Sequence, residues 1–212
     1  MNPKLEAVRA AGIVPVIKIQ NAADAVPLAE ALLRGGIACG EVTFRTPAAE
    51  EAMRSISNAY PDFLLGAGTV LNEQQAAKAV TAGAAFIVSP GFNESLVKFA
   101  LKENVLYIPG VSTPTEIEAA LSYGLQYLKF FPAEASGGLP MLKAMSAPYG
   151  EVQFMPTGGI NLQNVKSYLQ CKSVFACGGS WLCKEELIEA GDFEEITKRT
   201  QEAAQLVLEV RA

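Results

Sequence analysis

Three charged side chains stand in stretches too apolar to solvate them: Glu41, Arg45 and Lys129. Lys129 belongs to Leu125-Gln126-Tyr127-Leu128-Lys129-Phe130-Phe131-Pro132, which predicts a buried strand with an ammonium near its end. Strand side chains alternate, so Leu128 and Phe130 share one face while Tyr127, Lys129 and Phe131 share the other. Desolvation among aromatic groups favours the uncharged amine, and an uncharged amine is a nucleophile. Taken alone, the strand equally allows a lysine that snorkels out or pairs with a carboxylate. Ile37 to Arg45 predicts a second informative strand, with Val42 and Phe44 on one face and Glu41, Thr43 and Arg45 on the other. A third, Ile13 to Ile19, sets Val14, Val16 and Lys18 together, so Lys18 is a rival inward lysine.

Composition narrows the chemistry. The 212 residues contain no histidine, which excludes a Ser-His-Asp triad, a Cys-His pair and an imidazole-ligated metal. Proton transfer near neutral pH then falls to a carboxylate, lysine, cysteine, tyrosine or the substrate itself. The four cysteines, Cys39, Cys171, Cys177 and Cys183, form no C-x-x-C pair and read as reduced, mostly buried thiols. A net charge of -5 without a Lys/Arg run argues against nucleic-acid and polybasic membrane partners. Met1 to Gly12 has no apolar signal core, and no apolar run is long enough to span a bilayer, so the expected location is the cytoplasm. Half of the residues are hydrophobic, which fits one domain over 1–212.

The elements that must position these groups follow a regular alternation. A short N-terminal helix, Met1 to Ala10, precedes the strand Ile13 to Ile19. A helix capped by Asn21 runs to Arg34, with Pro27 implying a kink or a true start near Val26, and Gly35-Gly36 stop it. After the strand Ile37 to Arg45, Thr46 and Pro47 are expected as N-cap and first residue of a helix ending before Tyr60-Pro61. The strand Phe63 to Thr69 closes in glycines, Asn72 with Gln75 caps the next helix, and Gly83 ends it. Ala85 to Ser89 is a strand, Asn93 to Lys102 a helix, and Val105 to Pro109 a strand. Thr113-Pro114-Thr115-Glu116 is a capping box for a helix ending at Gly124. Beyond the Lys129 strand come a helix near Leu139 to Met145, a strand Glu151 to Thr157, a helix Asn161 to Gln170, a strand Ser173 to Cys177 and a final helix from Asp192 to Val210.

One strand-helix unit per ~25 residues, repeated about eight times, predicts a (β/α)₈ TIM barrel with a short N-terminal helix. Ala31-Leu32-Leu33-Arg34-Gly35, Ala79-Val80-Thr81-Ala82-Gly83 and Ala120-Leu121-Ser122-Tyr123-Gly124 repeat one another before apolar strands. An open doubly wound sheet competes, but no dinucleotide G-x-G-x-x-G supports it.

In such a barrel function gathers at the C-terminal strand ends, where Glu41, Arg45, Thr69, Lys129 and Thr157 fall. An internal ion pair of Glu41, Arg45 and Lys129 is the bland alternative. Burying three charges without a ligand is costly, which favours a functional site. Thr157-Gly158-Gly159-Ile160-Asn161 and Cys177-Gly178-Gly179-Ser180-Trp181 follow the last two predicted strands. Backbone N–H groups of glycine turns at helix starts bind anions, and these two loops are where barrels commonly hold phosphate.

Together, Glu41-Val42-Thr43-Phe44-Arg45-Thr46, Gly66-Ala67-Gly68-Thr69, Ile87-Val88-Ser89-Pro90, Leu128-Lys129-Phe130-Phe131-Pro132-Ala133-Glu134, Pro156-Thr157-Gly158-Gly159 and Gly178-Gly179-Ser180 resemble the 2-keto-3-deoxy-6-phosphogluconate (KDPG) / 4-hydroxy-2-oxoglutarate (KHG) aldolases. The match is collinear over nearly the whole chain. The resemblance implies a class I aldolase with Lys129 as Schiff-base residue and Glu41 as general acid/base. It also implies Arg45, Thr69 and Phe131 at the pyruvate end, and Thr157, Gly158, Gly159, Gly179 and Ser180 around the phosphate. It implies a homotrimer acting on a small keto acid with no metal and no cofactor. Lys18 lies where some relatives carry arginine and is a possible anion contact. Two other readings stay open: a phosphate-binding barrel isomerase or synthase without a covalent intermediate, and a non-enzymatic phosphosugar-binding module.

Overall fold

The computed structural model describes residues 2–211, so Met1, placed in the expected first helix, lies outside the described residues. Six short strands, Ile13–Ile17 (β1), Cys39–Thr43 (β2), Leu64–Gly68 (β3), Phe86–Val88 (β4), Leu106–Ile108 (β5) and, much later in the chain, Cys177–Gly179 (β9), form one parallel sheet in the order β5-β4-β3-β2-β1-β9. Gly110–Val111 (β6), Tyr127–Phe130 (β7) and Gln153–Pro156 (β8) form a second parallel sheet in that order. Only Pro109 separates β5 from β6, and a residue without an N–H cannot donate to a ladder. Isolated parallel bridges, Phe154 to Val174 and Thr157 to Gly178, reach from β8 and its end to the segment that carries β9. The fold is therefore α/β with a curled parallel sheet.

Helices connect the strands: Pro3–Ala11 (α1), Ala25–Arg34 (α2), Ala49–Ala59 (α3), Glu73–Thr81 (α4), Glu94–Glu103 (α5), Pro114–Leu121 (α6), Gly138–Ser146 (α7), Val165–Leu169 (α8), Glu185–Glu189 (α9) and Phe193–Arg211 (α10). All five residues of β1 and of β2 are buried, as expected for parallel strands covered on both faces. The helical stripes that cover them are short and apolar. In α2, Leu28, Ala29, Ala31 and Leu32 are buried, and each of the two leucines contributes about 1.5–3 kcal/mol by leaving water. The capping box of α6 is complete, with Thr113 Oγ1 accepting from Glu116 N–H and Glu116 Oε2 accepting from Thr113 N–H. Asn72 likewise caps α4 through the Gln75 N–H at 2.9 Å.

Several boundaries differ from the sequence expectations, for local reasons. Pro27 falls in the first turn of α2, after a 3₁₀ turn at Ala22–Asp24 capped by Asn21, so the true start lies at Ala25. Thr46 is not the cap of α3, which starts at Ala49, because its hydroxyl donates to the Ile19 carbonyl at 2.6 Å and ties two loops together. The strand expected at Ser173 to Cys177 is displaced to Cys177–Gly179, where Val14 and Pro15 of β1 pair with Gly178 and Gly179. The helix expected from Asn161 is confined to Val165–Leu169, the preceding residues forming a turn in which Asn161 N–H donates to Asn164 Oδ1 at 2.9 Å. No helix among the described residues is long and apolar enough to cross a membrane.

Candidate active site

β7 places its alternate residues as the pattern requires. Tyr127 enters at its start, stacked edge-on against Phe175 at 5.3 Å and under the Arg9 guanidinium of α1 at 5.8 Å. Two residues later, Lys129 sits 5 % exposed, and its Nζ lies 5.1 Å from the centre of the Phe131 ring. Leu128 and Phe130, on the opposite face, are fully buried.

From the other sheet, Glu41 meets this amine. It is fully buried in β2, between Val16 of β1 and Gly66 of β3 in register, and its Oε1 lies 3.5 Å from Lys129 Nζ. Its second oxygen, Oε2, is buried with no hydrogen-bond partner among the described residues. Gly68, the last residue of β3, makes room for this carboxylate: a Cβ there would stand 2.7 Å from Glu41 Cδ. A buried amine facing a half-satisfied buried carboxylate is an arrangement that can capture a carbonyl and move a proton.

Arg45 lies two residues beyond the end of β2 and is exposed rather than inside the strand. Its direction is set by Thr43, whose buried Oγ1 donates to Ile17 O at 2.8 Å and accepts from Arg45 Nε at 3.0 Å. Arg45 thereby lines a cavity of about 160 Å³ together with Phe131, Thr157, Gly158, Gly159, Gly179 and Ser180, all candidates from the sequence. Thr69, half-buried just past β3, adopts a left-handed backbone at φ 54°, a sparsely populated region for a β-branched residue. It does not line this cavity.

The two glycine loops are fastened to the strand that carries Lys129. Ala133 N–H donates to Thr157 O at 2.8 Å and Glu134 N–H to Gly158 O at 3.0 Å, so the turn after β7 runs along the turn after β8. Gly159 has φ +82°, and a Cβ on it would meet Glu134 Cβ at 2.6 Å. Thr157 bridges to Gly178, which brings the loop of Gly179 and Ser180 alongside. Anions bind such adjoining loops through backbone N–H groups.

Lys18 is partnered. Its Nζ donates to both oxygens of Glu185 at 2.8 Å, and Gln20 Nε2 donates to Glu185 Oε1 at 2.6 Å. Glu185 opens α9, a five-residue helix that sequence reasoning missed, and the hydrogen bond from Lys18 holds its carboxyl below the usual range. The acidic pair Glu185-Glu186 after Lys184 was the available signal for a helix start. The positioning role of Gly68 was also missed. Three of the four thiols are no rivals to the lysine: Cys39, Cys177 and Cys183 are buried, and burial pushes the Cys39 thiol up to about 12 and the other two upward as well.

Fold and site together define an α/β protein built around a buried carboxylate in the middle of β2, not at its end, facing a buried lysine on β7. The family model for KDPG and KHG aldolases matches residues 5–199. The 2-dehydro-3-deoxy-phosphogluconate aldolase of Treponema pallidum is 49% identical over 202 residues, covering 95% of this chain and 96% of its own length. The KHG/KDPG aldolase of Escherichia coli K12 is 47% identical over 193 residues, 91% of each chain. Among solved structures, the KDPG aldolase of Legionella pneumophila, with pyruvate captured as a covalent carbinolamine, is similar at a TM-score of 0.91 and 43% identity, over 94% of this chain and 97% of that one. The chain belongs to the KDPG and KHG aldolase family.

Proposed function

We propose that this protein is a class I aldolase that cleaves 2-keto-3-deoxy-6-phosphogluconate to pyruvate and glyceraldehyde 3-phosphate, and 4-hydroxy-2-oxoglutarate to pyruvate and glyoxylate. The observation that carries the proposal is the buried approach of Lys129 Nζ to Glu41 Oε1 at 3.5 Å. Lys129 passes a proton to Glu41 and attacks the C2 carbonyl; Glu41 returns that proton to the departing hydroxyl, so that the carbinolamine loses water, an iminium remains and Glu41 is again ionised. Glu41 takes the proton of the C4 hydroxyl. The C3–C4 bond breaks, its electron pair enters the iminium to form an enamine, and the aldehyde departs. A proton returned to C3 regenerates the iminium, and water releases pyruvate and the amine. Arg45 binds the C1 carboxylate through its planar fork and thereby places C2 beside Lys129. Phe131 and Thr69 complete the pyruvate end, and Thr157, Gly158, Gly159, Gly179 and Ser180 hold the phosphate. The iminium also serves decarboxylation of oxaloacetate as a secondary activity.

Borohydride reduction in the presence of pyruvate, followed by peptide mass mapping, tests this directly. One adduct per chain on Lys129 is expected; label on Lys18, or none under turnover conditions, overturns the assignment. An isomerase or synthase without a covalent intermediate predicts no adduct.

We further infer that the nine strands make eight barrel units, with β5 and β6 as one strand interrupted at Pro109. The bridges from Phe154 and Thr157 to the β9 segment support closure of the ring. A cytoplasmic homotrimer is the accompanying assembly and location. Sedimentation equilibrium at the mass of three chains and recovery in the soluble cell fraction are the expected results.

A further inference from the structure

Beside the cavity that holds the glycine loops opens a hollow of about 300 Å³ that shares Val16, Arg45 and Ser180 with it. Lys18 and Glu185 stand on its wall together with Arg45 and Ser180. The pair is tightly closed. Both Glu185 oxygens accept from Lys18 at 2.8 Å, and Gln20 donates to Glu185 Oε1 at 2.6 Å. The hydrogen bonds from Lys18 and Gln20, then the charges of Lys18 and Arg45, keep the carboxyl ionised against its partial desolvation. Lys18 is thus an ammonium at the rim whose charge is already answered from within the protein.

We propose that Glu185 is a specificity-determining residue: by holding Lys18 it denies that ammonium to a short dicarboxylic keto acid, while leaving the longer, phosphorylated substrate to the glycine loops. The proposal rests on the aldolase reading. Both substrates share the keto acid end anchored by Arg45 and Lys129, and they differ in where the second charge falls. In 4-hydroxy-2-oxoglutarate it is a carboxylate bonded directly to C4. In the phosphorylated substrate it is a dianion carried on the C6 oxygen, one carbon and an ester oxygen beyond the position of that carboxylate carbon. The short substrate's carboxylate falls before the loops, where the ammonium it would pair with is already held by both oxygens of Glu185. The dianion reaches past the pair to backbone N–H groups. Discrimination of this kind withholds an attractive contact from one substrate while supplying one to the other.

The test compares kcat/KM for both substrates in the full chain, in Glu185→Gln, and in Glu185→Gln combined with Lys18→Met. Glu185→Gln is expected to raise kcat/KM for 4-hydroxy-2-oxoglutarate about 5–50-fold relative to the phosphorylated substrate, chiefly through KM. The gain should vanish in the double variant and shrink at high ionic strength. Glu185→Ala removes the same charge and acceptor, and carries the same expectation if the glutamine variant folds poorly. An unchanged ratio while the unmodified protein turns over both substrates overturns the proposal and leaves the aldolase reading standing. A gain that survives loss of Lys18 overturns it too, because the effect would then come from the carboxylate alone. No turnover of either substrate, together with no pyruvate adduct, overturns the aldolase reading instead.

Discussion

Lys129 and Glu41 stand 88 positions apart in the chain, yet Nζ and Oε1 are 3.5 Å apart in the interior, with the lysine side chain 6% exposed and the glutamate 0%. As a structural bridge this is poorly made, since Glu41 Oε2 has no partner among the described residues. Burial of two charges is compensated only by excellent geometry. Lys129→Met keeps the apolar stem and removes the amine. Cleavage should fall by on the order of 10³-fold or more, and the borohydride adduct should disappear. The variant should also lose about 3–5 kcal/mol of stability, because Glu41 is left buried without its partner. Adding Glu41→Gln should recover much of that loss in denaturant unfolding; no recovery would mean that the two side chains are not coupled.

Glu41→Gln alone preserves shape and removes the base. A rate loss of roughly 10²–10⁴-fold is expected, with the pyruvate adduct on Lys129 retained. Near-normal turnover would reassign the proton transfer to water or to the substrate phosphate.

Gly68→Ala is a separate probe of the same carboxylate. Its Cβ would stand 2.7 Å from Glu41 Cδ, so the side chain must move away from β3. Displacement on the order of 1 Å costs about 10²-fold in rate when the moved group takes part in the chemistry. Single-turnover kinetics should place that loss in the proton-transfer step, with pyruvate trapping unaffected.

Much of this site was legible from period two alone. The alternation of Glu41, Thr43 and Arg45, and of Tyr127, Lys129 and Phe131, assigns faces without knowledge of which strands are neighbours. It places Glu41 and Lys129 inward. It overextends at the ends, where Arg45 leaves β2 and is steered by the Thr43 hydroxyl instead. β9 was misplaced because two of its three residues, Gly178 and Gly179, carry no side chain to make a strand pattern. Partner and register come from β1, which the local sequence does not encode. The five-residue α9 is too short for a helical period to emerge, so Glu185 was invisible as the partner of Lys18.

Arg45→Lys tests the anchoring of the α-keto acid. A point charge cannot reproduce the fork, and the bond from Nε to Thr43 Oγ1 at 3.0 Å is lost with it. KM for pyruvate in the condensation direction should rise about 10-fold or more with a smaller change in kcat. Unchanged pyruvate affinity would remove Arg45 from its assigned role.

The glycine loops yield to a charge placed among them. Ser180 is exposed, lines the cavity of about 160 Å³ with Thr157, Gly158, Gly159 and Gly179, and follows β9 directly. Ser180→Asp alters a side chain without touching the backbone freedom that Gly159 requires at φ +82°. If these loops hold the distal phosphate, the new carboxylate repels a dianion at close range and leaves the Lys129 end of the site undisturbed. The ratio kcat/KM for 2-keto-3-deoxy-6-phosphogluconate should fall by a factor on the order of 10–10³. Cleavage of 4-hydroxy-2-oxoglutarate, whose second charge falls short of the loops, should suffer much less. Raising the ionic strength should restore part of the loss, as expected for repulsion at a partly exposed position. Equal losses on both substrates would mean that the loops brace the strands rather than bind phosphate, and the preference for a phosphorylated substrate would then have to be sought elsewhere along the rim.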